Sequence, residues 1–197
     1  MDEEIRSKTI SNWAQKSNLE KTLMAGMNGI IEFRHDEKMH YLGEFKENVI
    51  RLLSQKQVAE VVIYSEIIQA LKDTRATKMI INGRISSRFT EKYKKLARKL
   101  NKPTTVRNDT DFKGDTGLIV ISDEAVDIQV ITVEERSIRL KRLGMSSALI
   151  NAVGKKVCKK CLEEIIKVNP QEKSDYHELT FLDRIVGEHC PVHQETK

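Results

Sequence analysis

The sequence predicts an α/β fold with a central mixed, partly parallel sheet, followed by a small helical zinc-binding appendix. Three observations predict it. A strand–helix–strand–strand–strand pattern occupies Lys78–Val133, helical hydrophobic periodicity precedes that stretch, and all three cysteines follow residue 157. A chain of 197 residues with 39% hydrophobic residues suits one domain with a small addition. We therefore expect an α/β domain with N-terminal helices over 1–135 and a basic C-terminal module over 136–197.

The composition excludes several classes of protein. Charged residues make up 32% of the chain but are well mixed with apolar ones, which argues against global disorder. No apolar run approaches the ~20 residues that span a bilayer, and the acidic start, MDEEIRSK, carries no secretory signal. We therefore expect a cytoplasmic protein, in which cysteines are thiols or metal ligands rather than disulfides.

The stretch from Lys78 to Val133 supplies the sheet. Met79, Ile80 and Ile81 form a continuous apolar run, which is typical of a strand covered on both faces. A strand–helix–strand unit of this length predicts a parallel pair of strands. The last strand is expected to pair antiparallel with its predecessor across a short turn. The predicted elements are strands Lys78–Gly83, Thr104–Asp109, Gly117–Asp123 and Asp127–Val133, and the helix Ser86–Lys102.

Helices are predicted on the N-terminal side of this stretch. Capping-box spacing at Ser17–Glu20 starts a short helix. An apolar stripe with a charged opposite face predicts a long helix over Asp36–Leu53. A further helix is predicted over Ser65–Asp73, and the link Lys56–Tyr64 is compatible with either a strand or a helix.

Helices are also predicted after residue 135, where the chain turns basic. One ends at Gly154, and another covers Leu162–Val168. A last helix is expected to begin at Ser174 or Asp175, to carry an apolar stripe, and to end at Gly187 as its C-terminal cap.

Four segments resemble the YueI-like family of small, uncharacterised bacterial proteins: GMNG at Gly26–Gly29, DEKMHYLGEF at Asp36–Phe45, KMIINGRIS at Lys78–Ser86 and GLIVISDEAV at Gly117–Val126. The resemblance covers residues 26–134. It implies a compact α/β domain with no established activity and no catalytic residues to carry over. The family's topology is similar to the kink-turn RNA-binding ribosomal fold, which implies an α/β/α sandwich. Arg136–Lys197 lies beyond the family's usual extent.

A cysteine and histidine pattern in this C-terminal extension predicts a metal site. C-x2-C at Cys158 and Cys161 is followed by C-x2-H at Cys190 and His193. Two such pairs can converge on one ion, and thiolates with an imidazole suit tetrahedral zinc. Four protein ligands leave no open position, so we expect a structural rather than a catalytic Zn²⁺.

Other interpretations of these residues stay open. His189 or His177 could replace one ligand. Cys158 and Cys161 could form a redox dithiol, although no thioredoxin-like strand-to-helix context is evident before them. The cysteines could also be unpaired thiols.

Polar residues that follow the predicted strands form a second candidate site. Asn82, Asp109 and Asp123 would line one crevice if their strands were parallel, and could hold Mg²⁺ or a polar ligand there. The alternative is that they are turn residues, a common role of Asn and Asp. The sequence has no phosphate-binding glycine loop and no Ser-His-Asp set, so we expect no catalytic residues. An enzyme at this crevice is the third of three functional hypotheses.

Two segments are strongly basic on a chain whose net charge is +5. Arg84–Lys102 holds eight basic residues and one acid, and Arg136–Lys160 holds eight and none. Such clusters attract phosphate-rich partners, although a solvated helix face has the same composition. The first hypothesis is a non-enzymatic, zinc-stabilised RNA- or ribosome-associated binding protein, with structured RNA favoured because aromatic residues are few. The second is a protein-interaction or regulatory module that docks through the zinc appendix or Trp13. The expected phosphate contacts are Lys92, Lys95, Arg98, Arg139, Arg142, Lys156 and Lys159.

Overall fold

The computed structural model of the protein describes residues 34–193, so the predictions at Trp13, Ser17–Glu20 and Gly26–Gly29 lie outside the described residues. The helices of the described part are α1 (His35–His40), α2 (Gln55–Ala59), α3 (Ser65–Lys72), α4 (Ser87–Lys99), α5 (Arg136–Arg142), α6 (Ser147–Asn151), α7 (Lys159–Val168) and α8 (Phe181–Ile185). Its strands are β1 (Val49–Ser54), β2 (Lys78–Asn82), β3 (Thr104–Arg107), β4 (Thr116–Ile121), β5 (Lys156–Val157) and β6 (His177–Glu178). Short 3-10 helices cover Lys46–Asn48 and Pro170–Asp175.

A mixed sheet of β1 to β4 lies at the centre of the α/β part, in the order β1-β4-β2-β3. β2 and β3 are parallel and are joined by α4, with Met79 opposite Thr104. β4 runs antiparallel to both of its neighbours, with Ile119 opposite Ile80 of β2 and Leu52 of β1. The predicted α/β fold with a mixed, partly parallel sheet is therefore confirmed. The three-layer arrangement and the likeness to the kink-turn fold stay predictions.

Three helices pack on one face of this sheet. Met79 and Ile81 of β2 and Leu118 of β4 face them, since alternate residues of a strand lie on the same side. The helices contribute Val58 from α2, Ile67 and Leu71 from α3, and Tyr93 and Ala97 from α4. All of these side chains are fully buried, so the core lies between the sheet and the helices.

The opposite face of the sheet is covered, within the described residues, by α1 and by irregular segments. Ile80 of β2 and Ile119 of β4 lie on this face. Met39 of α1, Phe112 and Ile131 pack against them. Both faces of β2 and β4 are therefore apolar, which explains their unbroken hydrophobic sequences.

The long helix predicted over Asp36–Leu53 is wrong. α1 ends at His40, and Leu42 and Gly43 have φ angles of 53° and 88°, which a right-handed helix does not contain. The remaining residues form a 3-10 helix and β1. Because β1 is apolar on both faces, its residues also match helical intervals, and periodicity alone does not separate the two structures.

The strand predicted over Asp127–Val133 is also wrong. The amide of Val126 donates to the carbonyl oxygen of Glu47 at 2.7 Å, so the chain leaves β4 instead of folding back along it. It then approaches β1 from the other side, where the amide of Leu52 donates to the carbonyl oxygen of Ile131 at 2.8 Å. This contact is a single parallel bridge rather than an antiparallel strand pair.

Residues 136–193 have a hydrophobic core of their own. Leu140, Leu149, Val157, Ile165 and Tyr176 are buried together between α5, α6, α7 and the short β5–β6 pair. Gly187 follows α8 at a φ of 90°, as predicted for a C-terminal cap, whereas the helix predicted to end at Gly154 ends at Asn151 instead. The expected domain boundary at residue 135 stays a prediction.

The helix predicted from Ser174 or Asp175 is wrong. These residues end a 3-10 helix, and β6 intervenes before α8 begins at Phe181. The amide of Leu179 donates to the carbonyl oxygen of Val157 at 2.8 Å. Pairing with β5 therefore takes the backbone groups that a helix would need.

None of the helices in the described residues combines the length and the hydrophobicity that are needed to cross a bilayer. The longest of them, α4, has 13 residues and carries charged side chains along one side.

Candidate metal centre

Cys158, Cys161, Cys190 and His193 lie together in the C-terminal module. Their ligand atoms are all within 4.8 Å of one another. The Sγ atoms of Cys161 and Cys190 are 3.9 Å apart, and the imidazole of His193 lies 3.9 Å from Sγ of Cys158 and 3.8 Å from Sγ of Cys161. Such a Cys3His cluster could hold a metal ion.

The spacing of the sulfur atoms fits a tetrahedral ion. A zinc–thiolate bond is about 2.3 Å long, so sulfurs at two corners of a tetrahedron lie about 3.8 Å apart. The distance of 3.9 Å between Cys161 and Cys190 is close to that edge. It is much longer than the ~2.05 Å of a disulfide, and all three cysteines are free thiols.

The first two ligands are positioned by a strand-to-helix turn. Cys158 is the N-cap residue of α7, and Cys161 lies three residues on, in its first turn. Side chains at these two positions approach each other, as they do in a capping box. β5 precedes the turn directly, so the strand-to-helix context that is not evident in the sequence is present in the structure.

The other two ligands come from a tight turn after α8. The amide of His193 donates to the carbonyl oxygen of Cys190 at 3.2 Å, which closes the turn. The amide of Cys158 donates to Sγ of Cys190 at 3.4 Å and so joins the two pairs. Cys161 and Cys190 are buried, whereas His193 is exposed, so the cluster lies at the edge of the module core.

The protonation of the thiols is set by burial and by neighbouring groups. Burial and the adjacent thiols of Cys158 and Cys190 raise the pKa of Cys161 to about 12. Burial also acts to raise the pKa of Cys190, but hydrogen bonds from the amides of Cys158 and Val192 outweigh it, so the pKa is lowered. Because a coordinated cation displaces thiol protons, metal binding here would release protons and weaken as the pH falls.

Neither alternative histidine ligand belongs to the cluster. His177 lies in β6 and is exposed, and His189 is exposed beside a groove next to the cluster. The four residues of the two short sequence motifs are therefore the set that the described structure brings together.

The predicted crevice at the strand ends does not form. Asp123 accepts a hydrogen bond from Thr77 Oγ1 at 3.0 Å, beside the first residue of β2, whereas Asn82 is the last residue of that strand. The five residues from Thr77 to Asn82 span about 16 Å, which is too far for Asn82 and Asp123 to share an ion. The cause is the antiparallel direction of β4. Its C-terminal end, where Asp123 follows, lies beside the N-terminal end of β2, whereas Asn82 lies at the C-terminal end of β2.

Turn formation accounts for two of these polar residues. Oδ1 of Asn82 accepts from the amide of Arg84 at 3.0 Å, and Oδ1 of Asp109 accepts from the amide of Asp111 at 2.9 Å. A side chain that accepts from the amide two residues on is the Asx-turn arrangement. The turn interpretation is therefore confirmed for Asn82 and Asp109.

Four of the seven expected phosphate contacts already have partners within the protein. Lys92 is half-buried, and its ammonium group donates to the carbonyl oxygen of Glu60. The other three form ion pairs with acidic residues: Arg139 with Glu66 and Glu172, Arg142 with Glu134, and Lys156 with Asp183 and Glu188. The basic segment Arg136–Lys160 is therefore much less positive at the surface than its composition indicates.

The remaining three expected contacts, Lys95, Arg98 and Lys159, are exposed. They form no ion pair with another residue of the described range. Lys95 and Arg98 lie three residues apart on α4 and share its outer side with Lys99.

A buried ion pair that sequence analysis missed joins distant parts of the module. Arg136 and Glu172 are each 4% exposed, and Nε of Arg136 donates to Oε2 of Glu172 at 2.8 Å. The same guanidinium donates to the hydroxyl of Tyr176, which donates in turn to the carbonyl oxygen of Leu149. The amide of Arg136 donates to the hydroxyl of Tyr64, the N-cap residue of α3, which ties the module to the α/β part. No sequence signal marks a pair 36 residues apart.

An exposed apolar surface on α8 is the second feature that was missed. Phe181, Leu182, Ile185 and Val186 are 66–82% exposed, and we call these four residues the α8 surface. Their helical spacing was visible in the sequence, but an apolar stripe normally indicates a buried face. Leu179, just before α8, is buried.

Comparisons with known proteins identify the α/β part of the chain. The family described as "Protein of unknown function (DUF1694)" matches residues 16–132. The "Uncharacterized protein YueI" of Bacillus subtilis (strain 168) is 27% identical over 113 residues, which are 57% of this chain and 86% of that protein. The crystal structure of the YueI protein from Bacillus subtilis matches with a TM-score of 0.51 and 26% identity, covering 61% of this chain and 94% of that one. The candidate metal ligands lie outside the family match. The chain belongs to the YueI-like family of proteins of unknown function, DUF1694.

Proposed function

We propose that the chain is a non-enzymatic binding protein whose C-terminal module folds around one structural zinc ion and docks a partner protein. The observation that carries the proposal is the α8 surface, whose four apolar side chains are 66–82% exposed and precede Cys190 and His193 of the Cys3His cluster in the chain. Contiguous exposed apolar surface is typical of interaction sites. The turn that supplies Cys190 and His193 begins five residues after the end of α8, so metal binding would anchor the chain just after that surface.

Zinc is the metal that this donor set favours. Three thiolates and an imidazole suit Zn²⁺, whereas Mg²⁺ and Ca²⁺ prefer oxygen ligands. Four protein ligands complete a tetrahedron and leave no position for a substrate, which is typical of a structural site. Metal binding contributes roughly 10–16 kcal/mol in small zinc modules, and residues 136–193, with several elements of two to seven residues, would depend on it.

Metal analysis of the purified chain tests the zinc part of the proposal. We expect about one zinc ion per chain, lost when Cys158→Ser and Cys161→Ser are combined. His177→Ala is the matched control, because His177 is an exposed histidine of the same module outside the cluster. Zinc content that the cysteine replacements leave unchanged would contradict the proposed ligands.

Affinity capture with the zinc-loaded chain tests the partner. We expect one stoichiometric protein partner that resists nuclease treatment and is retained by the His177→Ala control. The Cys158→Ser/Cys161→Ser variant should not bind this partner, because without the metal ion α8 would no longer be fixed in position. Capture that disappears with nuclease would instead indicate a nucleic-acid partner.

A second candidate function, RNA or ribosome association, is supported by the exposed cations of α4. Lys95, Arg98 and Lys99 lie on its outer side, where phosphates could reach them. Filter binding to total RNA at two salt concentrations tests this candidate, because each phosphate contact makes the affinity salt-dependent. Lys95→Glu/Arg98→Glu should weaken binding by about tenfold or more. Affinity no higher than that of an acidic control protein would dispose of it.

A further inference from the structure

Two open cavities beside the candidate metal centre join into one groove. The first has a volume of about 380 Å³, and the second, of about 400 Å³, reaches Cys158, Cys190 and His193. Both are lined by Leu179, Glu188 and His189, so they adjoin each other. The groove therefore runs along the turn between α8 and the second pair of candidate ligands.

Leu179 and Pro191 supply apolar lining to this groove. α8 begins two residues after Leu179 and contributes Arg184 to the lining. The same helix carries the α8 surface with its four large apolar side chains, the most exposed being Val186 at 82% and Phe181 at 77%. A capping box at Thr180 fixes the start of the helix, so the surface is presented on a defined element.

The uncompensated charge at the groove is positive. Nζ of Lys156 lies 2.6 Å from Asp183 and 2.8 Å from Glu188, so one ammonium group is shared by two carboxylates and these three residues carry a formal charge of −1, which Lys155 and Arg184 bring to +1. Lys155 and Arg184 also line the groove, are exposed and form no ion pair with a residue of the described range. An apolar surface flanked by two free cations is complementary to a ligand that carries both apolar and acidic groups.

We infer that this groove binds an amphipathic acidic helix of a partner protein. The inference rests on the proposed function and names the chemistry of its partner. Such a helix would place apolar side chains against the α8 surface and carboxylates against Lys155 and Arg184, as in helix-in-groove recognition. RNA would meet the two cations but would leave the apolar side chains without a complement. A second copy of the chain would bring Lys155 and Arg184 against a groove of the same sign.

A pair of designed peptides tests this inference on the zinc-loaded full chain. Both carry leucines at i, i+3, i+4 and i+7, and one has glutamates and the other lysines at the flanking positions. Fluorescence anisotropy should give an affinity at least about tenfold higher for the acidic peptide. Leu182→Ser/Ile185→Ser should lower that affinity by about tenfold or more, whereas Val130→Ser, an exposed apolar residue elsewhere, should leave it unchanged.

A charge reversal gives the second readout. Lys155→Glu/Arg184→Glu should turn the preference toward the basic peptide, with zinc content unchanged. Three results would overturn the inference. The acidic peptide could fail to bind, both peptides could bind with equal affinity, or Leu182→Ser/Ile185→Ser could leave the affinity for the acidic peptide unchanged. Dimerisation of the free chain that these serine replacements abolish would also overturn it, in favour of a second copy.

The outcomes separate this inference from the proposed function. Suppose that the Cys158→Ser/Cys161→Ser variant loses the captured partner but the Leu182→Ser/Ile185→Ser variant still binds it. This result would support the proposed function and refute the inference that the partner binds in the groove. A wild-type chain without zinc and without a protein partner would refute the proposed function itself.

Discussion

At the scale of single residues, the ammonium group of Lys92 is half-buried, 5.1 Å from the centroid of the Tyr93 ring. Burial lowers the pKa of Lys92 to about 8, although the nearby carboxylate of Glu60 acts in the opposite direction. The unfolded chain, in which a lysine has a pKa of about 10.4, binds more protons between these two values. Stability should therefore rise as the pH increases from about 8 to about 10.4.

The titration of Lys92 is directly measurable. Isotope-labelled dimethyl groups placed on the lysines and followed by NMR should give a midpoint near 8 for Lys92. Lys92→Arg assigns the signal. A midpoint for Lys92 near 10.4, the value of a lysine in the unfolded chain, would contradict the burial of its ammonium group.

The ion pair between Arg136 and Glu172 gives a prediction about stability. Glu172→Gln leaves a buried guanidinium without its counter-charge and should cost roughly 3–5 kcal/mol of unfolding free energy. Replacing both residues with methionine should cost much less, because no unpaired charge remains. Urea denaturation measures both variants.

The exposed pair between Arg142 and Glu134 is the matched control for that experiment. Its side chains are 67% and 37% exposed, so Glu134→Gln should change stability by less than about 1 kcal/mol. Equal effects of Glu172→Gln and Glu134→Gln would contradict a special role for the buried pair.

At the scale of elements, Gly117 determines how closely β4 approaches α2. A Cβ atom at this position would lie 2.8 Å from the backbone of Gln55 and from the carbonyl oxygen of Ser54. Backbone atoms cannot move aside as a flexible side chain can. Gly117→Ala should therefore destabilise the protein by about 1–3 kcal/mol and weaken hydrogen-exchange protection in β1 and β4.

Gly144→Ala serves as the comparison for Gly117→Ala. Gly144 has a φ of 91°, and a Cβ atom at this position would meet no other atom within 4 Å, so its replacement strains only the local backbone. Protection in β1 and β4 should stay unchanged. Loss of protection in these strands with both variants would argue against the packing explanation.

Elements held by local patterns were predictable, and elements fixed by distant contacts were not. β2, α4 and β3 follow from a short apolar run, a clear helical stripe and Pro103, which lie close together in the chain. β1 was missed because its apolar residues fit both periods, and only pairing with β4, more than 60 residues later, decides between them. The strand predicted over Asp127–Val133 failed for the same reason, since Val126 bonds to Glu47.

The residues of the candidate site also fall into a predictable group and an unpredictable one. The cysteine and histidine ligands were predictable because each pair is separated by only two residues, a spacing that metal coordination requires. The free charge of the basic segments was not, since the partners of Arg139 and Lys156 are acids 27 to 73 residues away. The buried Arg136–Glu172 pair has no local signal at all.

At the scale of the whole molecule, the family match and the candidate metal centre occupy different parts of the chain. The family covers residues 16–132, and the module core and the Cys3His cluster come after it. We expect a chelator to unfold residues 156–193 selectively, because the ligands there come from short elements that the metal connects. The sheet should persist, since its core contains none of the ligands.

Hydrogen exchange with and without the chelator measures this selectivity. Protection should fall in β5, α7 and α8 and should remain in β2 and β4. Addition of zinc should restore it. Simultaneous loss of protection in β2 and β4, or no change in α7, would contradict a metal that supports only the module.

X-ray absorption at the zinc edge of the purified chain tests the central claim, a Cys3His zinc centre, most directly. The predicted result is four ligands, three sulfurs at about 2.3 Å and one nitrogen at about 2.0 Å, with a sulfur lost in Cys161→Ser. A first shell made only of oxygen and nitrogen, or one unaffected by Cys161→Ser, would contradict the claim.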